Sequence, residues 1–221
     1  MKAIGTLPGE RLAGLSADLF HKLQKGVRTL DELALFNQGK NPFGDTASAF
    51  SRNQHGHFVF TITGLYLTGA QEIERLEASG YRVGHYAGSV LRSVGEDGYD
   101  QKHLLIAGHS YQVVIMPGNV ITKDRDRTTG NLRIENLMFG YKKPLAGIVP
   151  RIRELVSDKK LEEMGLWYIA GLHDPILDSN GRPCVLTASR HGYGRWVGAS
   201  SGGAGGLWPG GGAFAFLVPA S

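Results

Sequence analysis

Five short features of this chain carry residue types that do chemistry. His55-Gly56-His57 puts two imidazoles at alternate positions, which on a strand share one face, but no third metal ligand lies near them in sequence. His173-Asp174 joins a base to a carboxylate, yet Pro175 follows and favours a turn in which Asp174 bonds to backbone. Gly108-His109-Ser110 lacks the flanking pattern of a nucleophile elbow, so Ser110 reads as structural. Gly202-Gly203-Ala204-Gly205-Gly206 resembles a phosphate cradle only in its glycines, because no Lys-Ser/Thr ending and no helix follow. The single cysteine, Cys184, has no disulfide partner and reads as a small buried hydrophobe. No catalytic residues, metal site or cofactor are expected from these clusters.

The C-terminal segment is the more informative one. Between Gly192 and Gly212 there are 10 glycines in 21 residues, a composition costly to order in a regular helix or strand. Trp196-Val197, Leu207-Trp208 and Ala213 to Val218 interrupt it with large apolar anchors that flexible linkers do not have. In the closing run Phe214, Phe216 and Val218 alternate with Ala213, Ala215 and Leu217, as in a strand with one bulky and one smaller face. From Leu186 onward Lys, Glu, Asp, Gln, Asn, Met and Cys are all absent. Apart from tryptophan, every residue type there is reached by changing the first two bases of an asparagine codon while keeping its pyrimidine third base. Trp196 and Trp208 would then be fixed scaffold, with replaceable small residues beside them.

Several elements must position this segment. Leu12, Leu15, Leu19, Phe20 and Leu23 predict a first helix, and Thr29 with Glu32 caps a second one carrying Leu30, Leu33, Leu35 and Phe36. His57 to Thr63 alternates as a strand. Thr68 and Gln71 open a surface helix through Ala78, with Ile73 and Leu76 on its apolar face, Glu72, Glu74 and Glu77 elsewhere, and Gly80 as its left-handed stop. Gly95 to Asp100 is the expected domain boundary. Tyr111 to Met116 predicts a buried strand closed by Pro117-Gly118; Ile148, Ile152 and Leu155 predict a helix around Pro150, and Ser157 starts another. Leu166 to Leu172 reads as core. Three strands follow, over Cys184 to Thr187, Arg195 to Ala199 and Ala213 to Val218.

The run LEEMGLWYIAGLHDPI, with DSNGRP, RW and a closing FAFLVPAS, resembles the C-terminal C-type-lectin-fold domain of variable proteins diversified by retroelements. Its supports are a Trp-containing helix and the aromatic closing strand, and it covers roughly Gln101 to Ser221. In that family a reverse transcriptase copies a template, with adenine-directed errors, into the end of the target gene. The resemblance implies an α+β protein: an N-terminal helical and mixed region over 1–98, then a lectin-like ligand-binding domain over 99–221 with its variable region at about 187–213. The surface it implies comprises Ser189, Arg190, His191, Tyr193, Arg195, Ser200, Ser201, Gly202, Gly203 and Ala204, extending through Gly206 and over Gly210 to Gly212. Arg190, His191 and Tyr193 are the foremost contacts, since aromatics and Arg dominate interface energies. Trp167, Tyr168, Trp196, Trp208, Phe214 and Phe216 would be the scaffold.

The function this implies is non-enzymatic display of a ligand-binding surface, toward a protein or other macromolecule. The alternative is a phage or mobile-element assembly protein with a glycine-rich packing tail. A net charge of +4 is spread along the chain, with Lys142-Lys143 and Lys159-Lys160 its only adjacent lysines, so nucleic acid is not supported as a partner. No apolar run is long enough to span a membrane and no secretory signal opens the chain, so a cytoplasmic location is expected.

Overall fold

The computed structural model describes residues 50–219, together with Phe20, His21, 23–25 and Leu30. The chain divides into two units, Met1–Asp45 and Thr46–Ser221. In the first, Phe20, His21, Leu23 and Gln24 are helical, and the Lys25 N–H closes a turn on the His21 carbonyl. Leu30, in the helix expected from Thr29, is helical as well, and the remaining expectations for the first 49 residues lie outside the described residues.

In the second unit a nine-stranded sheet is combined with helices, an α+β arrangement. In chain order the elements are β1 (Ser51–Arg52), β2 (Phe58–Thr63), α1 (Gly69–Ala78), β3 (Arg82–Val83), α2 (His85–Leu91) and α3 (Tyr99–Lys102). Then come β4 (Ser110–Pro117), α4 (Thr129–Met138), α5 (Ile148–Leu155), α6 (Asp158–Glu163), β5 (Tyr168–Gly171) and β6 (Ile176–Leu177). The chain closes with β7 (Pro183–His191), β8 (Gly194–Ser201) and β9 (Gly212–Leu217). The strands lie in the order β1-β2-β4-β9-β5-β7-β8-β3, with β6 beside β7.

The boundary expected near residue 98 falls inside this sheet. β2 pairs antiparallel with β4 from Phe58↔Ile115 to Thr63↔Ser110, and β3 pairs with β8, so segments before and after residue 98 share one structure. The loop at Gly95 joins α2 to α3 and separates no domains.

Alternation along each central strand sorts side chains between two cores. Val113 and Ile115 of β4 enter one, with Ala213 and Ala215 of β9 and Leu186 and Ala188 of β7. Val114, Met116, Phe214 and Phe216 enter the other. Small residues thus face the first core, where Ile73 and Leu76 of α1, Val90 and Leu91 of α2, and Ile148 and Ile152 of α5 close over the sheet. The second core is thinner: Leu132 of α4, Tyr141 and Trp208 cover it. Thr187 and Ser189, next on this face of β7, are buried, while Gly198 and Ser200 opposite on β8 are only half-buried and border a groove.

Local signals set the helices as read. The Thr68 side chain accepts from the Gln71 N–H while Gln71 reaches back to the Thr68 N–H, and Gly80 takes φ +76° just past the end of α1. Glu72, however, is buried rather than on the surface, where it pairs with buried Arg151 of α5. Arg75 and Arg151 both also pair with Glu154. Burial alone would drive the Glu72 carboxyl up, and these guanidinium groups oppose it. Trp167 lies in no helix; it follows α6 and directly precedes β5. Among the described residues no helix is long and apolar enough to cross a membrane.

Candidate functional site

The open face of β7 and β8 forms a groove of about 350 Å³. Antiparallel register puts Thr187 opposite Gly198, Ser189 opposite Trp196 and Val185 opposite Ser200, so these side chains share one face. Thr187, Ser189, His191, Gly198 and Ser200 line the floor, and Leu207-Trp208-Pro209 with Tyr168 form one wall. Trp208 is fixed by donating from Nε1 to Thr129 Oγ1 at 2.9 Å and by edge packing on Phe214 at 5.3 Å. The Tyr168 hydroxyl donates to the Pro209 carbonyl at 3.1 Å. Burial pushes the Tyr168 phenol up to about 12, so it stays a neutral donor. Ser189 Oγ and His191 Nε2 lie 3.3 Å apart. No Asp, Glu, Lys or Arg lines the groove. The arrangement suits an uncharged, partly apolar ligand.

The structure divides the sequence-derived site residues into four sets. Ser189, His191, Ser200 and Ser201 line the groove. Tyr193, 80% exposed, stands at the turn between β7 and β8. Arg190 and Arg195 pair with each other and belong to the other face of the β7–β8 ladder. Arg190 stacks over Trp167 at 4.3 Å and donates to the Leu166 carbonyl, while Arg195 stacks over Tyr81 at 4.3 Å.

The fourth set, the glycine-rich loop, is mixed: Ala204 and Gly205 are exposed and Gly203 is half-buried, with open space at Gly205, whereas other positions are built in. Gly202 is buried, and a Cβ there would come within 2.8 Å of Val185 Cγ1. The carbonyls of Ala204 and Gly206 accept from the Gly130 and Thr129 N–H groups at 2.8 and 2.9 Å, which caps the start of α4. A phosphate cradle needs N–H groups turned outward, whereas this loop turns carbonyls toward a helix. Gly212 is held more tightly still, since a Cβ there would lie 2.0 Å from Tyr168 Cζ.

The scaffold divides as well. Trp208, Phe214 and Phe216 are buried core. Trp196 is half-buried beside His191 and under Arg82, outside both cores. Trp167 is 60% exposed; its N–H bonds Gly211 and its carbonyl accepts from Arg190, so it sits at the strand ends and not in the interior. Sequence reading missed Thr187, Gly198, Leu207 and Pro209 as lining. Counting back two residues from Ser189 finds Thr187, but Gly198 needs the β7–β8 register and the 207–209 wall needs the tertiary fold.

The other clusters have structural partners. His57 Nδ1 lies 2.9 Å from the Tyr141 hydroxyl, to which Asn53 also donates. Among the described residues no group of three or more His, Cys, Asp or Glu is placed to hold a metal ion. His173 is fully buried; its Nε2 accepts from the Leu186 N–H at 2.9 Å and its Nδ1 donates to the Asp174 carbonyl. Burial lowers it to about 3, which keeps the ring neutral. The Asp174 carboxylate pairs with Lys143 at 2.7 Å rather than with backbone. Cys184 is buried near Asp178, and burial raises its thiol. Compared with known proteins, the chain matches no family model, no curated protein and no solved structure.

Proposed function

We propose that this protein binds a macromolecular ligand, without catalysis, through the β7–β8 groove and the adjoining Tyr193 turn, and that its C-terminal surface is diversified by retroelement-directed mutagenesis on a lectin-like domain. The observation that carries the reading is the contrast within one short stretch. Ser200 and His191 line an open recess without Asp, Glu, Lys or Arg, whereas Gly202 and Gly212 have no room for a side chain. Replaceable positions therefore stand directly on fixed ones, as a display surface requires. The diversified set becomes His191, Tyr193, Ser200, Ser201, Gly203 and Ala204; Ser189 is buried, and Arg190 and Arg195 are anchors. The gene tests the diversification. A neighbouring reverse transcriptase and a near-copy of the 3′ end, mismatched only at template adenines, are expected; a locus with neither contradicts it.

A second reading, an assembly protein, is favoured by α4. Ile134, Leu137 and Met138 are 62%, 70% and 79% exposed and fall on one helical stripe. Sedimentation of the intact chain separates the two: the display reading needs no self-association, and an assembly protein forms oligomers that an Ile134→Glu, Leu137→Glu double variant disperses.

A further inference from the structure

β8 is covered along its outer edge for only part of its length. β3 is two residues long and pairs in parallel with Trp196 and Val197 before Gly84 leads the chain into α2. The Gly84 N–H donates to the Val197 carbonyl at 2.9 Å, so Val197 directs its backbone groups away from β7. Backbone direction alternates along a strand in an antiparallel ladder, so Ala199 and Ser201 point the same way. Among the described residues no hydrogen bond reaches the backbone of either on that side. Natural sheets guard such edges with charge, proline or a bulge; the sequence from Gly198 to Ala204 has neither charge nor proline. Gly198 and Ser200, on either side of Ala199, line the groove.

We infer that the ligand enters as an extended polypeptide segment, added as a strand against Ala199–Ser201, with an uncharged side chain seated in the groove beside Gly198 and Ser200. The inference rests on the reading of the groove as the binding surface. It divides the work of recognition: backbone groups of Ala199 and Ser201 hold any extended chain, and the groove side chains select which one. The ladder is main chain, so it survives every substitution of the residues around it. A charged side chain is disfavoured, because the recess offers it no counter-charge.

The test is selection of random linear peptides displayed on phage against the intact protein. Selected peptides are expected to slow amide exchange at Ala199 and Ser201. N-methylation of alternate peptide amides, in one phase only, should weaken binding about tenfold or more, the loss that one or two backbone hydrogen bonds predict. Ala199→Pro, which removes a donor from the open edge, should do the same with an unchanged melting temperature; the N-methyl series decides the matter if that variant misfolds. Peptides that Ser200→Arg excludes, but that tolerate N-methylation in both phases and leave Ala199 and Ser201 exchanging freely, overturn the strand while leaving the groove. Peptides indifferent to Ser200→Arg, or no selected peptide, overturn the groove reading with it. A dimer that Ala199→Pro dissociates also overturns it, by making a second copy the occupant.

Discussion

Gly212 and Ser200 sit in strands of one sheet with opposite freedom to change. A methyl group at Gly212 would enter the Tyr168 ring, so Gly212→Ala is expected to cost about 1–3 kcal/mol in urea unfolding through overpacking. Ser200→Ala projects into the groove and should change stability by less than about 0.5 kcal/mol. The tryptophans divide in the same way: Trp208→Ala should cost about 3–5 kcal/mol as a buried aromatic, far more than Trp167→Ala at an exposed site. His173 adds a pH dependence. Its ring titrates at about 3 folded against 6.5 in the open chain, so its contribution is complete above pH 6.5 and stability falls as pH drops toward 3, because the unfolded chain takes the proton first. His57 and His103, also lowered by burial, act in the same direction. Urea midpoints followed from pH 7 to 4 should decline, and His173→Gln should flatten the slope.

At the scale of elements, α1 and α5 are joined by charge where the sequence seemed to call for a solvated face. Gly69, Glu72, Ile73 and Leu76 recur at helical spacing and are all buried. Glu72 was expected off the apolar face because of its charge, yet its spacing matches the buried stripe, and its partner Arg151, 79 residues away, holds it there. Glu72→Ala would strand that guanidinium and is expected to cost about 3–5 kcal/mol, measured by chemical denaturation. Capping residues and strand alternation were legible because they act over a few neighbours: Thr68, Gln71, Gly80 and Ser157 do what their positions predict. Trp167 and Trp196, expected as scaffold beside Phe214 and Trp208, lie outside both cores, and only strand register and the tertiary fold separate the two pairs. Glycine misled in the opposite direction. Gly202 looked like displayed, exchangeable chain, but its neighbours Val185 and Cys184 leave no space for a side chain.

For the whole molecule, the decisive property is unequal cover on the two faces of one sheet. Helices α1, α2 and α5 close one face, while α4 and the Trp208 segment stop short on the other, so the groove exists because the second layer is incomplete. Of the groove side chains only Trp208 belongs to the core beneath, and His191, Ser200 and Ser201 lie outside it. That independence gives the account its most direct measurement: two libraries, one randomised at His191, Ser200 and Ser201 and one at Gly198, Gly202 and Gly212, scored by thermal melting and then by selection for binders. The account predicts that the first library keeps the parent melting temperature and yields binders, while the second mostly unfolds. Equal loss of fold in both libraries, or a stable first library that yields no binder, would contradict it.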